Sequence, residues 1–185
     1  EKALIKSNFS STLIIYLAYV LTKIHVPNKI IQISKQMRDS LLASGIEDYS
    51  ARKIRNIIGN FYWGKKLYRY IFLRIQPDYL LLINAYNDHT CVAAAKEIGT
   101  TVVEFQHGFI NRHHYGYSWS KSALFFKQNM PIAEKLLVFG DYWKQELSLN
   151  EFWGDELIVS GSLRVEKWRQ QQLKKYDISS HICNS

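Results

Sequence analysis

The sequence is poor in the residues that build small cross-linked frameworks. It has two cysteines, Cys91 and Cys183, in 185 residues, which is too few for a disulfide scaffold and lacks the spacing of a zinc site. Cys91 lies in the apolar run Cys91-Val92-Ala93-Ala94-Ala95 and is expected to be a buried thiol, which fits a reducing compartment. Long apolar runs are also missing. The longest, Leu13 to Leu21, is too short to span a bilayer, and no small-residue cleavage signature follows it. No GxGxxG, GxxxxGK or GxSxG occurs. This disfavours a dinucleotide fingerprint, a P-loop and a hydrolase nucleophile elbow. Internal repeats and low-complexity segments are absent as well. With 47% hydrophobic residues, the chain can build one or at most two domains with a real core.

Acidic residues are scarce in the first part. Residues 1–78 hold 13 of the 24 Lys/Arg but only 5 of the 16 Asp/Glu, so they carry the whole formal charge of +8. Such asymmetry suggests an anionic partner for that part, a membrane surface or nucleic acid, against the alternative of a solvated basic face. Nucleic acid is disfavoured because no binding motif accompanies the charge.

The first part reads as helices. One is expected over 9–24, capped by Ser10 or Ser11, with Leu13, Leu17 and Val20 inward. A second is expected from Pro27 to about Ala43, with Ile30, Ile33, Met37 and Leu41 inward and Gly45 as its stop. A third, long pattern follows Asp48 or Ser50. Its apolar positions include Ile54, Ile58, Phe61, Tyr68 and Phe72, and Gly64 is expected to interrupt it. Its Lys and Arg residues interleave with aromatics. That suits a helix at a lipid headgroup surface, or one packed on a sheet with its lysines in water.

From Pro77 the pattern changes. Tyr79 to Asn84 reads as a strand buried on both faces. A helix over 88–98 and a strand over 101–105 follow. Then come a strand over 136–139, a helix from Tyr142, a strand over 157–160 and a helix over 166–176. Alternation of this kind predicts an α/β fold with a Rossmann-like parallel sheet of about four or more strands, flanked by helices and preceded by a helical region. The expected divisions are 1–76 (helical and basic, packed on the sheet), 77–165 (the sheet domain) and 166–185 (a helix or crossover).

Each predicted strand ends in small or polar groups, and parallel strands bring those ends to one edge. They are Asn84 and His89; Gln106, His107 and Gly108; Gly140-Asp141; and Ser160-Gly161-Ser162 with Arg164. The stretch from Thr100 to Ser118 is the focus, because a strand there breaks into a loop rich in histidine. Gly108 is expected to supply the sharp exit. His107 is the candidate general base, since an ordinary histidine titrates near neutral pH. The alternative is a loop histidine bonded to backbone. Glu104 either orients it or points to the opposite face. Arg112, His113 and His114 suit a phosphate or a sugar hydroxyl. Adjacent histidines without Cys or acidic partners in pattern disfavour metal. Tyr115, Tyr117 and Trp119 either stack on a sugar ring or pack the loop onto the domain.

The order of VVEFQHGFINRHHYGYS, LLVFGDYWKQEL and LIVSGSLRVEKW resembles bacterial GT-B glycosyltransferases of surface-polysaccharide synthesis, and the related CDP-glycerol glycerophosphotransferases. The matching pieces are Gln106-His107-Gly108, Phe139-Gly140 and Gly161-Ser162-Leu163-Arg164, and the resemblance covers residues 77–168. Glu166 stands where that family usually has Asp. The resemblance implies an N-terminal, acceptor-side half, with nucleotide-sugar bound by a second Rossmann domain. It implies transfer of a sugar to a glycan or lipid-linked acceptor in capsule, O-antigen or other cell-surface polysaccharide synthesis. His107 would be base or acceptor contact, no cofactor or metal would be needed, and the protein would be cytoplasmic or peripheral on the inner membrane face. A polyol-phosphate transferase, a nucleotide-sugar 2-epimerase-like enzyme and a non-catalytic glycan-binding or partner module are the alternatives.

Overall fold

Stop signals and caps set the first three helices. The computed structural model describes residues 11–176, with side chains up to Gln172; Cys183 lies outside them. Helix α1 spans Ser11–Ile24, α2 spans Asn28–Ala43 and α3 spans Ala51–Ile75. Pro27 precedes α2, where its missing N–H costs nothing. Gly45 ends that helix at φ 77°, with Ile46 N–H returning to the Leu41 carbonyl. The Ser50 side chain caps α3 by accepting the Lys53 N–H at 3.2 Å.

The rest alternates. Strand β1 is Tyr79–Leu82, α4 His89–Glu97, β2 Thr101–Phe105, β3 Lys135–Val138, α5 Asp141–Ser148, β4 Leu157–Val159 and α6 Leu163–Tyr176. A 3-10 segment at Lys121–Asn129, which no periodicity announced, lies between β2 and β3. The strands form one four-stranded parallel sheet in the order β1-β2-β3-β4, with Glu104 opposite Leu136 and Leu136 opposite Leu157. The chain divides into two compact units.

The first unit takes residues up to Leu80 together with 88–101. Its organiser is α3, against which α1, α2 and α4 all pack. The buried positions of α3 include two glycines, Gly59 and Gly64. Gly64 does not break the helix, contrary to the sequence reading. It lets Thr90 of α4 come close, and Gly59 does the same for Thr22 of α1. The inward stripe of α1 is Ile14, Ala18 and Thr22. The expected Leu13 and Leu17 face outward, because a helix apolar all round hides which stripe is core. In α2 Ile30 is buried as expected, but Met37 is exposed and Ser34 is buried, its hydroxyl bonded to the Ile30 carbonyl. Cys91 is buried, and burial with Asp88 nearby pushes its thiol up to about 12.

The second unit takes 81–87 and everything from Val102. Its core covers one sheet face: Leu136, Val138 and Leu157 from the strands meet Leu147 of α5 and Ile110, Tyr117, Phe152 and Trp153 from the connections. The opposite face is open among the described residues. Leu81 is 56% exposed and Ile158 41%. This corrects the expectation that β1 is buried on both faces: it is an edge strand with one uncovered side.

A Cβ on Gly59 would stand 2.6 Å from Thr22 Cγ2, and the Thr22 hydroxyl is fixed to the Ala18 carbonyl at 2.8 Å. Overpacking costs about 1–3 kcal/mol, more than the roughly 1 kcal/mol that alanine gains over glycine in a helix. Gly59→Ala is therefore expected to lower unfolding free energy in urea. Adding Thr22→Ala is expected to recover part of the loss, and strictly additive losses would refute the close approach.

Candidate functional site

The exit of β2 is held by side chains. Alternation along the strand sends Glu104 and Gln106 to the covered face, where they are 2% and 4% exposed. Gln106 uses both ends of its amide: Nε2 donates to the Gly108 carbonyl at 2.8 Å, and Oε1 accepts the Phe139 N–H at 2.8 Å. Its backbone N–H donates to the Leu137 carbonyl, also at 2.8 Å. The turn is thereby fastened to the end of β3, and His107 within it is left exposed. Gln106, buried and engaged at both ends of its amide, positions the turn.

Glu104 fastens the other side. Its Oε1 accepts the Ala85 N–H at 2.9 Å and the Tyr117 hydroxyl at 2.7 Å. Burial, and the carboxylate beside it, push the Tyr117 phenol far above its usual range, so it stays protonated and donates. Tyr117 is 1% exposed, and its carbonyl accepts the Trp153 indole N–H at 2.8 Å. The ring is packed into the core of its unit.

The ring of Tyr86 is the hub of the exposed side. His107 lies 6.2 Å from it at an interplanar angle of 29°, and His114, Tyr115 and Tyr117 meet it edge-on at 5.2 to 5.3 Å. His114 stacks on Tyr115 at 4.9 Å. Tyr86 escaped the sequence reading. Its signal was its place: an aromatic just past a strand end, where the parallel ends converge.

The loop beyond His107 folds on itself. The Asn111 side chain accepts the His113 N–H, and the Arg112 carbonyl accepts from Ser118 and Asn150. The Arg112 and His113 side chains are exposed, as is Arg164 in the first turn of α6. Asn84 follows β1, and its Oδ1 is enclosed without a hydrogen-bond partner among the described residues. His89 opens α4, which belongs to the first unit. So His107, His114 and Tyr115 are brought together, with Tyr117 beneath them. Among the described residues no group of three or more His, Cys, Asp or Glu side chains could hold a metal ion.

Glycine matters at a different place from the one expected. Gly108 is not in the left-handed region, and a Cβ there would meet nothing. At Gly116 a Cβ would stand 2.5 Å from Tyr86 Cγ. Gly116 also donates its N–H to His114 Nδ1 at 3.1 Å. Only an imidazole with Nδ1 bare can accept that bond, so the ring is neutral and carries its proton on Nε2. Burial, with His107 close by, holds its pKa below the ordinary histidine value.

Compared with protein-family models, with curated proteins and with solved structures, the chain finds no match.

Two measurements check this geometry. Gly116→Ala is expected to cost about 3 kcal/mol in chemical denaturation, because the atoms it strikes are the near end of the Tyr86 side chain and cannot swing away. Gly108→Ala is expected to be neutral or slightly stabilising. Equal effects at the two glycines would refute the account. For His114, the unfolded chain takes its proton near pH 6.5, about the ordinary value, and the folded chain takes it lower. The unfolded state then binds more protons in the window below about 6.5, so stability falls as pH drops through it. The wild type is expected to show a falling melting temperature there. His114→Asn, whose Oδ1 can accept the same N–H, is expected to show a flatter profile.

Proposed function

We propose that this chain is the acceptor-side domain of a GT-B-type glycosyltransferase of cell-surface polysaccharide synthesis. It moves a sugar from a nucleotide-sugar donor to a glycan or lipid-linked acceptor. The observation that carries the reading is the exposed His107 imidazole, held at the carboxyl end of a parallel strand beside Tyr86, His114 and Tyr115. A rigid strand end that presents a titratable ring next to aromatic surface suits an acceptor sugar.

In this reading His107 takes the proton of the acceptor hydroxyl as its oxygen attacks the anomeric carbon of the donor. The bond to the nucleoside diphosphate breaks, and the diphosphate leaves with the electron pair. The His114 Nε2–H is a hydrogen-bond donor for a neighbouring hydroxyl. The exposed Tyr115 ring offers a face for the sugar. Arg112 and Arg164 supply positive charge for a phosphate on the acceptor, and the exposed His113 ring a hydrogen-bonding partner. A second domain holds the donor nucleotide, and helix N-termini with cationic side chains suffice there for its diphosphate. The working position is cytoplasmic, peripheral on the inner membrane face. It fits the basic excess of residues 1–78 and the finding that, among the described residues, no helix is long and apolar enough to cross a membrane.

The test is nucleotide release in the intact protein, over UDP-, CDP- and GDP-sugars with a lipid-linked acceptor extract. His107→Ala is expected to lower turnover by about 10²–10⁴-fold with an unchanged melting temperature. Turnover near the wild-type rate would sink the role of His107. Glycan binding without nucleotide release under any condition would favour a binding module.

A further inference from the structure

Helix α1 presents an apolar surface that its own unit does not cover. Ile14, Ala18 and Thr22 face α3, and the remaining circumference is still apolar. Leu13 is 58% exposed, Leu17 40% and Ile24 75%. Their spacing of four and seven places them, with half-buried Val20, on one seam along the helix. Beside that seam runs a second row, Tyr16, Tyr19 and Lys23, in which the Lys23 ammonium lies 5.0 Å from the Tyr19 ring centre. The sequence offered two places for α3, at a lipid headgroup surface or packed with its lysines in water. In the structure α3 is the centre of its unit and buries its apolar stripe against three neighbours. The exposed stripe belongs to α1.

Length and charge decide what this surface suits. The fourteen described residues of α1 rise about 21 Å as a helix, so the whole seam from Leu13 to Ile24 can lie along a bilayer surface. Tyrosine and lysine flanking an aliphatic seam match the polarity gradient of a headgroup region. The surrounding charge favours an anionic surface. The segment 11–76 holds 11 Lys/Arg and 3 Asp/Glu. Lys66 lies 5.3 Å from the Trp63 ring centre, and the Trp63 indole donates to the His25 carbonyl at the end of α1. A protein partner would need acidic complementarity of its own, whereas an anionic leaflet supplies it everywhere.

We propose that α1 lies flat in the headgroup region of an anionic lipid bilayer, with Leu13, Leu17 and Ile24 toward the acyl chains and Lys23 toward lipid phosphate. This rests on the peripheral position proposed above and names the element responsible for it. The test is co-sedimentation of the full chain with vesicles of phosphatidylcholine alone, and with phosphatidylglycerol added. The expected result is binding to the anionic vesicles only, weakened by salt. The triple variant Leu13→Gln, Leu17→Gln, Ile24→Gln is expected to bind at least about tenfold more weakly with unchanged helix content, because those side chains are solvent-exposed. Lys23→Glu, a single exposed change, is expected to lower affinity at low salt. Binding unaffected by the triple variant overturns the proposal, as does equal binding to neutral vesicles. A wild-type dimer that the triple variant dissociates, with no vesicle binding, would show the face to be a protein interface instead. His107→Ala is expected to sediment like the wild type. Lost transfer therefore leaves the docking result standing, and lost docking leaves transfer to a water-soluble acceptor standing.

Discussion

Two adjacent inward positions on β2 set the local architecture around the candidate site. Glu104 ties the segment after β1 to the loop after β2, through Ala85 and Tyr117. Gln106 ties the turn to the end of β3, through Gly108 and Phe139. Both side chains are almost fully buried, and a buried carboxylate or amide that loses a donor or acceptor suffers the desolvation of that group. Each tie therefore specifies a geometry as well as adding stability. The exposed histidine at 107 stands on backbone that is held from both sides, which is the kind of support that keeps a functional side chain in place.

The same ties explain why the loop from Phe109 to Trp119 is ordered despite its polar composition. Ile110 and Tyr117 sink into the core of the unit, and Trp153 fixes the Tyr117 carbonyl. Between these anchors His114 turns its Nδ1 to the Gly116 N–H and its face to Tyr115. Gly116 lets Tyr86 lie against the loop backbone. The polar groups that remain outside, on Arg112 and His113, are those the anchoring does not use.

Much of the fold was legible because backbone rules act locally. Gly45, Ser50 and the apolar run of β2 announced themselves, and so did the alternation of strands and helices after Pro77. What escaped depends on neighbours. Gly64 reads as a helix break by propensity, yet in place it is a contact surface for Thr90. The stripe of α1 could not be chosen because nearly every position on it is apolar. The continuous apolar run of β1 suits a central parallel strand, but its place at the sheet edge, with one face open, is a property of the whole sheet. At the site, His107 and His114 were legible as chemistry. Packing of Tyr117 was one of two readings, and the central place of Tyr86 was not legible, since it follows from how the loop folds back.

Among the described residues, the outward side of α1 and the open side of the sheet around Leu81 and Ile158 leave apolar surface uncovered. Single exposed leucines are ordinary, whereas contiguous rows of them mark interaction surfaces. Apolar area alone says nothing about the partner, because hydrophobic attraction has no chemical preference beyond exclusion of water. Charge makes the choice. Residues 79–185 hold 11 Lys/Arg and 11 Asp/Glu, so the sheet face sits in a segment whose field favours neither sign. The surface of α1 sits in the segment that carries the entire basic excess. Part of that excess is occupied internally, since Lys65 and Arg69 both pair with Glu97. Glu97 offsets one of these two charges, and the rest of the basic excess still favours an anionic surface.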